Sequence, residues 1–211
     1  TIFASQNVNK FVIRNQYFDF EVVRETEDFA DVKVSGGLPV SMLIQKTVSR
    51  GLEGFEYHQG LPGSVGGALY MNSKWTKPLN YFGDRLIFAT LLDKKGNERQ
   101  VDRDYFKFAY DYSRLQETHE ILVDAVFHLL KAESAVLKKR SQDALEYRKS
   151  TQPFGVASSG CMFQNVDGRS AGELIDRAGL KGARVGSFVV SDKHANFIIN
   201  EGEGETGDLK K

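Results

Sequence analysis

Segments that alternate or run apolar, with β-branched residues, dominate the start of the chain. Phe11-Val12-Ile13-Arg14, Phe18-Asp19-Phe20-Glu21-Val22-Val23 and Ala30-Asp31-Val32-Lys33-Val34 read as consecutive strands of an antiparallel sheet. Gly36-Gly37 closes the third. From Val40 the period changes. Val40, Leu43, Ile44 and Val48 recur at helical spacing, and Gly51 is a natural stop. Further on, Leu86-Ile87-Phe88-Ala89-Thr90-Leu91-Leu92 and Glu98-Arg99-Gln100-Val101 flank Lys95-Gly96-Asn97, a hairpin signature. Residues 121–129 form another apolar, β-branched strand.

Near Lys131 the character shifts. Residues 132–148 are charged and helix-favouring, with Val136, Leu137, Ala144 and Leu145 on one stripe. A domain boundary is expected there, giving residues 1–130 and 131–211. Ser170-Ala171-Gly172-Glu173 has the form of a capping box, opening a short helix that Gly179 ends. Phe188-Val189-Val190 and Ala195-Asn196-Phe197-Ile198-Ile199 read as strands. The regular βαβ alternation of a doubly wound fold is missing, so the expected class is α+β.

Composition narrows the function classes. In 211 residues, Lys+Arg and Asp+Glu balance at 28 each, so no global field draws in nucleic acid or an anionic membrane. No apolar stretch is long enough to span a bilayer, and the start of the chain lacks a basic-then-apolar signal. Cys161 is the single cysteine, which rules out an intrachain disulfide and argues against a structural zinc site. The expectation is a soluble cytoplasmic protein with no metal centre. The chain opens on Thr1 and stops after a Gly/Glu-rich loop, so both ends read as cut.

The densest chemical signal is Gly60-Leu61-Pro62-Gly63-Ser64-Val65-Gly66-Gly67-Ala68-Leu69-Tyr70-Met71-Asn72. Without Cβ atoms, its glycines let backbone N–H groups approach a flat or anionic ligand closely. The run then enters the apolar 68–71 stretch, which reads as a tight turn leading into a packed element. An ordinary Gly/Pro turn is the alternative.

Several later segments join this one in order: Gln152-Pro153, then Ser159-Gly160-Cys161-Met162-Phe163-Gln164-Asn165. Residues 171–182 (AGELIDRAGLKG) and 190–200 (VSDKHANFIIN) follow. Together they resemble the UDP-N-acetylenolpyruvoylglucosamine reductases (the MurB family), flavoenzymes that complete UDP-N-acetylmuramate for bacterial cell walls. The resemblance runs through essentially the whole chain. It implies FAD as cofactor, NADPH as co-substrate, a nucleotide-sugar substrate and a monomer. It also implies the antiparallel-sheet part of a PCMH-type FAD-binding domain at 1–130, then a smaller α+β substrate-binding domain at 131–211. The cofactor would lie against Gly60, Leu61, Pro62, Gly63, Ser64, Val65, Gly66, Gly67 and Asn72. Substrate would meet Tyr110, Gln152 and Asn165. The proton donor, usually a serine, falls at Cys161. A thiol, with a reference pKa of ~8.5, gives up a proton more readily than an alcohol. The bland alternatives are a small buried Cys161 and a turn or cap role for Asn165.

Three departures accompany the resemblance. The family's Tyr-Arg pair is here Tyr110-Asp111, which leaves Arg114 as the replacement cation. Tyr147-Arg148, alike in spelling, lies in the basic stretch before Gln-Pro and is rejected as the counterpart. After Asn72 the chain reads Ser73-Lys74-Trp75 instead of small residues, so Trp75 either stacks on a ligand or packs internally. An earlier phosphate-binding subdomain and a late glutamate have no counterpart. His194 is read as a hydrogen-bonding, backbone-positioning residue. Two other functions compete: a flavin-dependent oxidase on the same scaffold, and a non-catalytic nucleotide-sugar-binding remnant.

Overall fold

Residues 11–211 are described by the structure, a computed structural model. They divide into two compact units. Among the described residues, the sheet unit is Arg14–Glu146, and the C-terminal unit is Tyr147–Lys211 together with residues 11–13.

In the sheet unit the strands are β1 (Phe20–Glu25), β2 (Phe29–Ser35), β3 (Leu52–Glu53), β4 (Lys74–Thr76), β5 (Leu79–Tyr81), β6 (Leu86–Leu92), β7 (Glu98–Asp102) and β8 (Ile121–Lys131). The main sheet runs β1-β2-β8-β6-β7, every pairing antiparallel, with β3 also on β8. The late strand β8 thus lies between β2 and β6, a pairing between segments far apart in sequence. Strand β7 follows β6 through the expected turn. There the Asp93 carboxylate accepts from the amides of Lys95 (2.7 Å) and Asn97 (2.9 Å), and Gly96 is left-handed at φ +85°.

Helix α1 (Val40–Ser49) buries Val40, Leu43, Ile44 and Val48, the stripe expected from sequence, and Gly51 follows at φ +66°. These side chains join one core with Val32, Val34, Leu69, Phe127 and Leu129. Phe55 sits at its centre, 4.9 Å from Phe82 and edge-on to Phe127 at 5.0 Å. Helix α2 (Val65–Tyr70) and the short α3 (Leu115–Thr118) complete the unit.

One expected strand is absent. Residues 11–14 are not in a strand, and Phe11 and Ile13 stand in solvent at 102% and 91% exposure. An apolar, β-branched run cannot by itself hold a strand, because its backbone groups need a partner edge. Among the described residues no strand pairs with this segment.

Helix α4 (Ser134–Thr151) passes from one unit to the other. The packing divides between Glu146 and Tyr147, later than the boundary expected near Lys131. The first half of α4 is fastened to the sheet unit: Leu137 enters the core, and Arg140 reaches Glu53 and the buried Glu56, both at 3.3 Å.

The C-terminal unit holds β9 (Ser158–Cys161), α5 (Ala171–Arg177), β10 (Arg184–Val185), β11 (Phe188–Val190), β12 (Phe197–Asn200) and α6 (Thr206–Leu209). Its antiparallel sheet has the order β10-β11-β12-β9. Ser170 caps α5, its hydroxyl accepting from the Glu173 amide at 3.3 Å. Strand β12 begins at Phe197, not Ala195, because residues 194–197 form a turn closed by the Phe197 amide on the His194 carbonyl. The α+β class read from the sequence holds in both units.

Candidate functional site

The glycine bend packs against the β2–α1 connection. The amides of Val65 and Gly66 donate to the carbonyls of Leu38 (2.9 Å) and Gly36 (2.8 Å), and the Val40 amide donates to the Gly63 carbonyl. Ser64 caps α2, taking the Gly67 amide on its hydroxyl at 3.3 Å. The expectation that these amides greet a ligand therefore fails for Val65, Gly66 and Gly67, whose N–H groups are engaged internally. The side chains of Val65 and Leu61 face the core. What the bend presents is bare glycine surface. A Cβ on Gly63, held at φ +108°, would meet nothing within 4 Å, and one on Gly67 only the Ser64 hydroxyl at 3.7 Å.

A cleft of about 260 Å³ lies over this surface, with Ser64, Gly66, Gly67, Tyr70, Glu120 and Leu122 in its lining. Glu120 is a fixed anion. Its carboxylate accepts from the Tyr105 hydroxyl at 2.6 Å and the Arg99 guanidinium at 2.7 and 3.0 Å. Burial pushes this carboxyl up, but the bonds from Tyr105 and Arg99 outweigh it and hold it below the usual glutamate range.

Asn72, expected on the cofactor, is instead an internal strut. It is buried at φ +44°, donating to the Ala109 carbonyl (3.0 Å) and accepting from the Gly83 amide (3.2 Å). Arg114, the expected replacement cation, lies 4.5 Å from the centre of the Tyr105 ring. The cation over Tyr110 is Lys74, its Nζ 3.4 Å from the ring centre. Trp75 is buried, its indole N–H on the Lys77 carbonyl at 2.6 Å, which decides for internal packing over ligand stacking.

In the C-terminal unit Cys161 closes β9 and is exposed, so the reading of a small buried cysteine is excluded. Strand pairing sets it opposite Phe197 of β12. Just beyond, the buried Asn196 clips the chain: its side chain accepts from the Phe163 amide (3.0 Å) and donates to the Phe163 carbonyl (2.8 Å), while its own carbonyl takes the Met162 amide. Arg148 lies within electrostatic reach of Cys161. Burial pulls its guanidinium down, and attraction to Cys161 in its thiolate form works against that. Gln152 extends α4 by one bond, its amide on the Arg148 carbonyl at 2.9 Å, and its side chain is half-buried. Asn165 accepts the Ala171 amide at 3.0 Å, a cap on the start of α5. His194 packs edge-on to Phe197 at 4.9 Å and takes the Asn196 amide on Nδ1 at 3.3 Å; burial holds it below its usual range, and Lys181 adds in the same direction. Among the described residues no group of three His, Cys, Asp or Glu could hold a metal, and no helix is long and apolar enough to cross a membrane.

Sequence reasoning missed Glu120, Lys74 and the clip made by Asn196. The HANF stretch signalled the last; nothing local announced the other two, whose partners come from distant segments.

The arrangement defines a two-unit α+β protein with a glycine-walled cleft in one unit and an exposed thiol on a strand of the other. Comparison with known proteins gives the family. Residues 152–211 match the model of the UDP-N-acetylenolpyruvoylglucosamine reductase C-terminal domain. The chain is 36% identical over 208 residues to the UDP-N-acetylenolpyruvoylglucosamine reductase of Chlamydia trachomatis serovar D, covering 99% of this chain and 69% of that protein. The reductase of Protochlamydia amoebophila is 38% identical over 176 residues, 83% of this chain and 58% of its own. The crystal structure of UDP-N-acetylenolpyruvylglucosamine reductase from Thermus caldophilus superimposes with a TM-score of 0.77 at 32% identity, over 84% of this chain and 65% of that one. The chain belongs to the UDP-N-acetylenolpyruvoylglucosamine reductase family, and it spans about two thirds of the length of these relatives.

Proposed function

We propose that this chain works in the reduction of UDP-N-acetylglucosamine enolpyruvate to UDP-N-acetylmuramate, a step of peptidoglycan synthesis. The carrying observation is that kinship to proteins of that name extends over 99% of the chain; an exposed Cys161 suits the proton-donor role that the resemblance implies.

The bare faces of Gly63 and Gly67, open to a planar ring, are compatible with a flavin. Ser64, Gly66 and Gly67 are the residues that would hold it, in the sheet part of a PCMH-type domain. Bound there, FAD would supply hydride-transfer chemistry, with NADPH as its reductant. The chain's own part is the proton. Cys161 Sγ–H donates to C2 of the enolpyruvyl group, and Arg148 favours the thiolate left behind. The bonds from the Asn196 side chain to the Phe163 backbone hold this strand end in place, so the thiol starts from one position. Tyr110 and Gln152 bind substrate in this reading. Asn165 acts on substrate at one remove, by fixing the start of α5.

The test uses protein expressed from its complete reading frame. It purifies yellow, NADPH bleaches the flavin, and the enolpyruvyl sugar restores the colour. Reoxidation by oxygen or an organic acid, but not by the enolpyruvyl sugar, would replace this reading with an oxidase. A colourless protein that binds the sugar nucleotide would replace it with a binding module.

A further inference from the structure

Two places where this chain leaves its family's pattern meet in space. One is Lys74, where small residues are expected; the other is Tyr110-Asp111, where a Tyr-Arg pair is expected. Lys74 Nζ sits 3.4 Å from the centre of the Tyr110 ring.

The fold holds both partners in place. Strand β4 pairs with β5 in a two-stranded ribbon, Lys74 opposite Tyr81. Alternation along β4 sends Trp75 into the interior and leaves Lys74, half-buried, on the other side. The Tyr110 loop is pinned to the end of α2. The Ser113 hydroxyl (2.7 Å) and the Gln116 amide (3.0 Å) both donate to the Tyr70 carbonyl, and Gln116 also donates to the Asp111 carbonyl. Asn72 fixes the Ala109 carbonyl from the same side of the sequence break. Tyr70, the shared anchor, lines the cleft over the glycine bend.

Charge decides what this arrangement can bind. Among the described residues neither Lys74 nor Asp111 forms an ion pair. An ammonium laid on an aromatic face keeps its full charge and has three N–H donors for an anion. Asp111 carries the wrong sign for that task. Arg114 has its guanidinium on Tyr105.

We propose that Lys74, seated on Tyr110, binds the carboxylate of the enolpyruvyl substrate, supplying the positive charge that the family's Tyr-Arg pair provides. This rests on the reductase reading and assigns one of its binding groups to a residue peculiar to this sequence.

The experiment compares wild type, Lys74→Gln and Lys74→Arg as flavin-loaded protein from the complete reading frame. Gln keeps most of the stem and loses the charge; Arg keeps the charge. For Lys74→Gln the KM for the enolpyruvyl sugar rises about tenfold or more, the scale of a lost charge-assisted hydrogen bond. Reduction of its flavin by NADPH stays within about twofold of wild type, as a group acting on substrate alone requires. Lys74→Arg recovers most of the loss, and so does Asp111→Arg placed in the Lys74→Gln background. A Lys74→Gln protein with wild-type KM overturns the role of Lys74 while leaving the reaction standing. A wild type that cannot reoxidise its flavin with the enolpyruvyl sugar overturns the reaction, and this assignment with it.

Discussion

The glycine bend of the sheet unit turns its Val65, Gly66 and Gly67 amides inward, whereas the strand that carries Cys161 leaves that side chain exposed. Residues 60–67 lock onto residues 36–40 through carbonyls and amides and stand on a core that includes Phe55, Phe82 and Phe127. Residues 158–163 have a thin foundation, in which Ala171, Ala195 and Phe197 are the buried apolar side chains. The first region achieves shape through close backbone contact, which tolerates no added atom where the chain segments touch. The second achieves position through a few hydrogen bonds centred on Asn196, and its Cys161 side chain is exposed. A rigid surface and a reactive side chain thus come from opposite solutions, and mutations should separate them.

Replacing Cys161 with alanine probes the second region most sharply. The expected outcome is a loss of about 10²–10⁴-fold in flavin reoxidation by substrate, the range for a removed general acid. Stability and flavin reduction by NADPH should not change, because the side chain is exposed. Stopped-flow absorbance at the flavin band checks both halves, and unaltered reoxidation removes the thiol from the mechanism.

Gly36→Ala does the reverse. Its Cβ would lie 2.2 Å from the Leu122 carbonyl oxygen, between two backbones that cannot retreat. Urea unfolding should show a loss of about 3 kcal/mol or more, the scale of a severe core clash. A wild-type midpoint would mean the contact between β8 and the 36–38 segment is loose.

Asn196→Ala is expected to cost about 2 kcal/mol, because the Phe163 amide and carbonyl lose their partner. Substrate reoxidation should slow alongside, with flavin reduction untouched. Hydrogen exchange at the Met162 and Phe163 amides reads the loosening directly.

Glu120→Gln has the smallest expected effect and a defined pH signature. Glu120 titrates below its usual value in the folded protein, so its contribution to stability is present above the unfolded pKa and fades as pH falls through the folded one. Wild type should lose stability as pH falls below the usual glutamate range, and the Gln variant should show a shallower loss there. Parallel slopes in urea titrations would mean that Arg99 and Tyr105 do not hold the carboxylate in solution.

Much of the local structure was written in the pattern of residues. The α1 stripe with Gly51 after it, the Asp93–Asn97 turn and the Ser170 cap each depend on neighbours within a few positions, so a single segment carries the information. The same holds for the glycine bend as a bend. Assignments that failed were of another kind. Residues 11–14 run apolar and β-branched, yet a strand requires a partner edge, and no local pattern reports one. The amides of Val65 and Gly66 looked available because their acceptors, Leu38 and Gly36, come from another segment. Asn72 looked like a ligand contact and proved a strut between Ala109 and Gly83 for the same reason.

By itself, then, the order of residues determined the class of fold and most of its elements, since short-range propensity and periodicity act along the chain. Tertiary structure alone decided that β8 enters between β2 and β6, that Glu120 is clamped by Arg99 and Tyr105 at the cleft, and that Lys74 rests on Tyr110. Each of these joins groups many residues apart, where the free energy comes from packing and charge pairing that exist only once the chain has closed on itself.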